Sequence, residues 1–337
     1  MGTTRITSEG PEQPLSTSVV ISTYSRPQGV LDVLESLSRQ TVMPKAIYVV
    51  DQSPGTAIAE AVAKGSTLYP SLHGLTHLKV DFQGLTKARN HGLARVTTPV
   101  TTFIDDDVVV GPTYIEEVLA FFRGGHCVVV GGLPRFGNLE HRGGPPPSAV
   151  WALYRRLFNI SRPGDTWRVL PNFEVLYNTA ISEPIQSEYI SGSNFSVLTA
   201  VAKDIGFDEK LIYYSIGEDI DFPVRVRRKH PHAVWLNPLL PVSHPLPPEE
   251  PWKDFILYVH SLHHYYLFYK YWDGHPGPMA WLDFARSRLG LLLMPSFQRR
   301  KYGLLPHLGL LKSSFMVESQ ILHHFKSVLR GEFPQWK

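Results

Sequence analysis

Cysteine is almost absent. Cys127 stands alone in 337 residues, so no internal disulfide can form. A lone thiol in a Val-rich run fits a reducing compartment and reads as a buried packing residue. Long apolar runs are missing too. No window approaches the roughly 20 apolar residues that span a bilayer. The N-terminus lacks a basic-then-apolar signal pattern. The expectation is a cytoplasmic protein, free or resting on the inner face of the cell membrane. Net charge is small, at +3, and basic residues do not crowd as in a dedicated nucleic-acid binder. No nucleic-acid partner is expected.

What is present suits a large core. Hydrophobic residues make up 43% of the chain, and the length allows one or two domains. Residues 1–16 are polar and read as a flexible leader. Strand-like and helical runs then alternate. Strands are expected at 19–21, 46–50, 75–80, 100–104 and 127–130, with helices from Pro27 and at 55–64, 85–96 and 114–122. This order implies an α/β fold with a mainly parallel sheet covered by helices. Ligands then bind beyond the carboxyl ends of the strands, where Asp51 and Asp105 lie. Residues 134–187 are less regular and read as a functional excursion, after which regularity is expected to return at 188–198. A helix is expected at 217–229 and a strand at 233–236. The proline-rich stretch 237–251 should be a rigid, irregular connection.

The tail from 252 has Phe255, Tyr258, Val259, Leu262, Tyr266 and Tyr269 at helical spacing. Arg286, Arg288, Arg299, Arg300 and Lys301 flank an apolar run. The tail reads as a helical extension that can lie on a membrane surface through 252–330. Packing on the rest of the chain, or a homodimer contact, would give the same periodicity.

Asp105, Asp106 and Asp107 follow the apolar stretch 101–104. Adjacent carboxylates repel, and a hard divalent cation, Mn2+ or Mg2+, relieves that repulsion. In extended backbone, alternate residues point the same way, so Asp105 and Asp107 can face one site. A solvated turn capping the next helix is the plainer reading. Glu218 and Asp219 stand at a helix start, where acids suit the macrodipole or act as a general base. His244 can complete a coordination shell. Lys87 and Arg89 can hold a pyrophosphate at the start of their helix, or line a solvated face.

The order of these pieces is more specific than any one of them. Residues 23–27 (Thr-Tyr-Ser-Arg-Pro) come first, then Asp51, Gln52 and Ser53. Leu85, Ala88, Arg89, Asn90 and Gly92 precede the Asp triplet. Gly192, Ser193 and Asn194 follow, then the string 206–209, Gly217, Glu218 and Asp219, and His244. Over about residues 17–245 the chain resembles a family 2 glycosyltransferase with the GT-A fold. The resemblance implies a catalytic domain at 17–245. Its nucleotide-binding half would be 17–133 and its acceptor half 134–245, with a helical extension at 246–337.

It further implies inverting, metal-dependent transfer from a nucleoside diphosphate sugar (UDP, GDP or dTDP type) to a glycan or lipid-linked glycan, as in bacterial surface polysaccharide assembly. Thr23, Tyr24, Arg26 and Asp51 would contact the nucleoside, and Lys87 or Arg89 the base or pyrophosphate. Asp105 and Asp106 would hold ribose or metal-bound water. Asp107 would ligate the metal with His244, and Asp105 would be the ligand in the other register of the triplet. Asp219 would be the base, beside Glu218. Gly192, Ser193 and Asn194 would line the donor-sugar pocket. Two departures matter: Asp-Gln-Ser at 51–53 is unusual, and the triplet offers two registers. A sugar-nucleotide nucleotidyltransferase would show a Gly-rich basic loop after the first strand, which residues 22–27 lack. The other alternative is an inactive sugar-nucleotide-binding protein.

Overall fold

The computed structural model describes residues 15–125, 127–133, 135–136, 149–178, 180–244, 254–297 and 304–335. Residues 1–14 of the expected leader, the stretch 143–147, prolines 245, 247, 248 and 251, and Arg299, Arg300 and Lys301 lie outside the described residues. In chain order the elements begin β1 (Thr17–Thr23), α1 (Pro27–Ser38), β2 (Ala46–Asp51), α2 (Ala57–Leu68), β3 (Leu75–Lys79) and α3 (Leu85–Leu93). Next come β4 (Val100–Asp105), β5 (Val109–Val110), α4 (Tyr114–Arg123), β6 (Val129–Gly132), β7 (Arg135–Phe136) and α5 (Ala149–Leu157). The short strands β8 (Arg162–Pro163), β9 (Arg168–Val169), β10 (Val175–Tyr177) and β11 (Ile185–Gln186) follow. Then come β12 (Asn194–Leu198), α6 (Thr199–Ile205), α7 (Glu218–Lys229), β13 (Val234–Asn237) and β14 (Val242–His244). Helices α8 (Asp254–Tyr271), α9 (Pro278–Phe297), Leu304–His323 and Phe325–Leu329 complete the series.

The chain divides into two compact units. The first holds residues 1–137, 181–212 and 218–246. Its main sheet runs β11-β13-β6-β12-β4-β1-β2-β3. Strands β4, β1, β2 and β3 are parallel, while β12 lies antiparallel between β4 and β6. Every residue of β1 is buried, as expected of a parallel strand covered on both faces. Val19 and Ile21 enter one apolar cluster with Leu34 and Val118. Val20 points the other way, toward Phe103, Phe195 and Phe222. That alternation is the strand's twofold period made visible.

Two places differ from the sequence expectation. The proline-rich connection is not wholly irregular, because β14 forms within it. It pairs with β5, Val242 opposite Val110, and with β7, in a separate three-stranded sheet. The regular stretch expected from 188 begins only at Asn194 as a strand.

The second unit holds residues 138–180, 213–217 and 247–337. The aromatic stripe of α8 does not face outward. Tyr258, Val259, Leu262 and Tyr266 are buried within this unit. A core-facing stripe and a membrane-facing stripe share one periodicity, and here packing takes it. Arg288, expected among the membrane-facing cations, is 6% exposed. It donates to Ser261 Oγ at 2.6 Å and pairs with Glu318. Arg286 donates to the carbonyls of Arg156 and Leu157 at the end of α5. No helix among the described residues is long and apolar enough to cross a membrane.

His264 sits inside this polar network. Its Nε2 lies 3.1 Å from the Asn172 carbonyl, and so carries the proton, while Nδ1 faces Arg288 Nη1 at 3.4 Å. Burial, then the Arg288 charge, push its pKa down to about 3. Unfolded, the ring would take a proton near pH ~6.5. Between those values the unfolded chain binds the extra proton, so stability falls as pH drops below about 6.5. The expected cost is about 1.4 kcal/mol per pH unit over that window. Urea unfolding at pH 7 and pH 5 checks it: His264→Gln should flatten the loss, and an equally steep loss in the variant would contradict it.

Candidate active site

The site is built where β4 ends and α7 begins. Helix α3 starts at Leu85 because Gly84 turns the chain with φ +134°, its N–H donating to Gln52 Oε1 at 2.7 Å. Gly92 lets α3 lie close on β1, since a Cβ there would meet Val20 Cγ1 at 2.5 Å. This close seat carries Arg89 into the interior, where it is 2% exposed. Its Nη1 donates to Glu218 Oε1 at 2.5 Å. Its Nη2 donates to Asp105 Oδ1 at 3.0 Å and to the Gly192 carbonyl at 2.6 Å. Phe195, Phe207 and Phe103 surround the guanidinium at 5.4, 5.7 and 6.0 Å. Gly192 has no side chain for a reason: a Cβ would lie 2.4 Å from Glu218 Oε1.

Burial alone would discharge these groups. For Arg89 the neighbouring Glu218 and Asp105 outweigh burial, and its pKa is raised. For Asp105 and Glu218 burial prevails over Arg89, and both are raised. Asp219 is raised well above the carboxylate range by burial and then by the charge of Glu218. Burial and mutual repulsion thus make an ionised Asp219 more basic than an ordinary carboxylate, which suits a group that accepts a proton during a reaction.

The Asp triplet is not an extended strand end. β4 stops at Asp105, and Val108 N–H donates to the Asp105 carbonyl at 3.2 Å, closing a turn. Alternation is lost there, so Asp105 turns to Arg89 while Asp106 and Asp107 share Arg26. Nη1 of Arg26 reaches Asp106 Oδ1 at 3.0 Å and Asp107 Oδ2 at 2.6 Å. Thr23 Oγ1 donates to Asp106 Oδ2 at 2.6 Å. Burial, only partly opposed by Thr23 and Arg26, pushes Asp106 up to about 6. Asp107 moves the other way: although burial acts to raise it, His244 and Arg26 hold it below the ordinary range. His244 Nε2 is 2.9 Å from Asp107 Oδ1, brought there by the β14–β5 pairing, and that contact raises its pKa. Gly29 in α1 packs against this turn so tightly that a Cβ would strike the Asp106 carbonyl oxygen at 2.2 Å.

Among the described residues, no three of His, Cys, Asp and Glu converge as a complete metal ligand set. Asp107 and His244 do converge, as one carboxylate oxygen and one imidazole nitrogen. Sites for Mg2+ or Mn2+ commonly take one or two carboxylates and draw the rest from water and substrate phosphates. The donor set fits such an ion.

Beyond the ends of β1, β2 and β3 opens a cavity of about 650 Å³, lined by Tyr24, Gln52, Ser53, Lys79, Phe82 and His91 among others. Asp51 is fully buried. Its carboxylate accepts from Ser53 N–H at 2.8 Å and from Lys79 Nζ at 3.0 Å, with His77 Nε2 also at 3.0 Å. Burial acts to raise its pKa, but these bonds prevail and lower it.

Several expected ligand contacts are thus turned inward. Arg89, expected at a base or pyrophosphate, is buried and donates through Nη1 and Nη2 to the protein. Asn194, expected to line a sugar pocket, is fully buried, its Oδ1 accepting from Gly132 N–H at 2.9 Å. Asp51 and Thr23 are spent on Lys79 and Asp106 in the same way. Arg26 and Tyr24 remain half-exposed, and Lys87 is partly exposed. Ser193 Oγ is 2.9 Å from Ser191 Oγ. Lys79, Phe82, His91 and Gly29 escaped sequence reasoning. Only Lys79 left a signal, as a cation at the end of a strand that lies beside Asp51.

Comparison with known proteins identifies the family and the fold. The model of the family described as Glycosyl transferase family 2 matches residues 18–200, more than half of the chain. An uncharacterized glycosyltransferase of Bacillus subtilis, YwdF, is 34% identical over 102 residues, which cover 30% of this chain and 36% of that protein. Validoxylamine A glucosyltransferase of Streptomyces hygroscopicus subsp. limoneus is 33% identical over 113 residues, covering 32% and 24%. The match thus spans about a third of the first relative and a quarter of the second. In fold, the chain is similar to the mannosyltransferase PcManGT of Pyrobaculum calidifontis, solved with GDP-Man and Mn2+. The TM-score is 0.51 at 12% identity, over 94% of this chain and 85% of that one.

Removing the buried cation should be far costlier than removing the exposed one. Arg89→Met leaves the buried Glu218 and the partly buried Asp105 without a partner and should cost about 3–5 kcal/mol. Arg26→Gln, at a half-exposed position, should cost less than about 1 kcal/mol. Urea unfolding of the two variants measures both, and similar losses would refute the assignment of Arg89 as the anchor.

Proposed function

The chain belongs to glycosyl transferase family 2, and we propose that it moves a sugar from a nucleoside diphosphate donor to an acceptor hydroxyl with inversion at the anomeric carbon. The observation that carries this reading is the pairing of Asp107 with His244 at the end of β4. Asp107 and His244 would hold Mn2+ or Mg2+. Such an ion, when bound, would stabilise charge on the departing diphosphate as a Lewis acid. The PcManGT structure, with GDP-Man and Mn2+, supports that choice of donor class and ion.

The residues of the chain do the rest. The cavity beside Tyr24, Gln52 and Lys79 receives the nucleoside. Arg26, half-exposed beside the triplet, is placed to donate to a diphosphate bound there. Asp219 accepts the proton of the acceptor hydroxyl as its oxygen attacks the anomeric carbon. The C–O bond to the diphosphate breaks in the same step, so no covalent enzyme intermediate forms. Glu218, fixed by Arg89, keeps Asp219 basic enough for this work through its charge. General base catalysis of this kind contributes roughly 10²–10⁴-fold.

The acceptor we favour is a glycan, free or lipid-linked, in surface polysaccharide or glycoconjugate assembly. The lipid-linked form is supported by apolar side chains that the second unit leaves exposed. Val150, Leu153 and Leu157 on α5 are 56–67% exposed, and Met279 and Leu282 on α9 are 60–70% exposed.

Calorimetry with UDP, GDP and dTDP tests the site. At least one should bind with Mn2+ and lose most affinity in chelator, because three carboxyls otherwise repel a diphosphate. Asp219→Asn should keep that binding and lose turnover by roughly 10²-fold or more. Equal binding with and without chelator would remove the metal-bridged site. Near-normal turnover in the variant would remove Asp219 as the base.

A further inference from the structure

The five residues before the Glu218 and Asp219 pair adopt an unusual backbone. Tyr213, Ser215 and Gly217 have φ of +56°, +50° and +94°. Tyr and Ser are disfavoured there because Cβ crowds the carbonyl oxygen. Such conformations persist only where the surroundings over-determine them.

The surroundings are in the second unit, to which residues 213–217 belong. His263 Nδ1 lies 3.1 Å from the Ile216 carbonyl, so the ring donates there. Leu267, one turn further along α8, fills the space against Gly217, where a Cβ would meet Leu267 Cδ1 at 2.6 Å. The Tyr213 ring meets Phe255 edge-on at 4.9 Å. Ser215 and His263 are fully buried. Helix α8 thus grips this strap at three successive points.

The chain passes from the second unit into the first at the Gly217–Glu218 peptide bond, and Glu218 is the first residue of α7. Within the first unit the other end is equally fixed. Glu218 is held by Arg89, and the Asp219 carbonyl accepts from Ile190 N–H at 3.2 Å. Ile216 stands only two residues before Glu218, so the strap and the acidic pair are joined by the shortest run of backbone.

We propose that the strap 213–217 sets the position of Asp219, with His263 as a positioning residue for turnover. The proposal rests on the reading of Asp219 as the base. Displacing a reacting group by about 1 Å costs on the order of 10²-fold in rate.

His263→Ala in the full chain tests it, with His263→Asn, whose amide can still donate, as the conservative variant. His263→Ala should lower kcat about 10–100-fold, with donor KM and Mn2+-dependent UDP, GDP and dTDP binding changed less than about twofold. Turnover is read as diphosphate release from a panel of UDP-, GDP- and dTDP-sugars. His263→Asn should recover most of the kcat. Hydrogen exchange at 216–221 should rise in His263→Ala and not in His263→Asn. Gly217→Ala, which crowds Leu267 from the other side, should reproduce the kcat loss if the histidine variants do not fold. Unchanged exchange at 218–221 in His263→Ala would overturn the proposal. So would parallel losses of kcat and diphosphate affinity in both histidine variants. If Asp219→Asn keeps its turnover, the base reading fails separately, and exchange at 218–221 still decides whether the strap positions the pair.

Discussion

A single buried guanidinium organises the reactive half of this protein. Arg89 is charged and almost wholly buried among phenylalanines. It is tolerable there only because Glu218 and Asp105 neutralise it and the Gly192 carbonyl fills its remaining direction. The three partners come from α7, the end of β4 and the turn before β12, elements distant in sequence. Breaking the bond to Glu218 leaves a buried charge without its nearest partner. The arrangement therefore fixes the relative positions of two carboxyl groups more stringently than apolar packing could, at the point where proton transfer needs them.

The rest of the site follows from that anchor. With Asp105 turned inward to Arg89, the chain closes a turn, and Asp106 and Asp107 emerge together toward Arg26. β14 then pairs with β5 directly after the turn and delivers His244 to Asp107. The two carboxyls differ in electrostatic state for local reasons: Asp106 is buried and pushed up to about 6, and Asp107 is held down by an imidazole and a guanidinium. The more ionised of the two is the one that sits beside a nitrogen donor, as a cation site requires.

Much of the fold was legible in the sequence, because β1 to α4 are carried by short buried apolar runs and clean helical periodicity. The two- and three-residue strands β8 to β11 carry no such signal, and β14 was hidden by the prolines around it. At the site, the chemistry of the Asp triplet, the Glu–Asp pair and His244 drew attention through their order along the chain. What sequence order cannot show is where a polar group spends its hydrogen bonds. Arg89 and Lys87 look alike on paper, yet Arg89 meets a carboxylate 129 positions away. Asn194 and Asp51 likewise bond to neighbours that their place in the sequence does not reveal. The tail of α8 shows the complementary limit, since apolar periodicity records burial without naming what covers it.

The account stands on Arg89 and Glu218 acting as one unit, and a double-mutant cycle on unfolding free energy measures that directly. With Arg89→Met and Glu218→Gln, the coupling should be about 2–3 kcal/mol. The double variant should be more stable than Arg89→Met alone, because it no longer buries an unpaired carboxylate. Losses that add to within about 0.5 kcal/mol would show two independent residues and contradict the account.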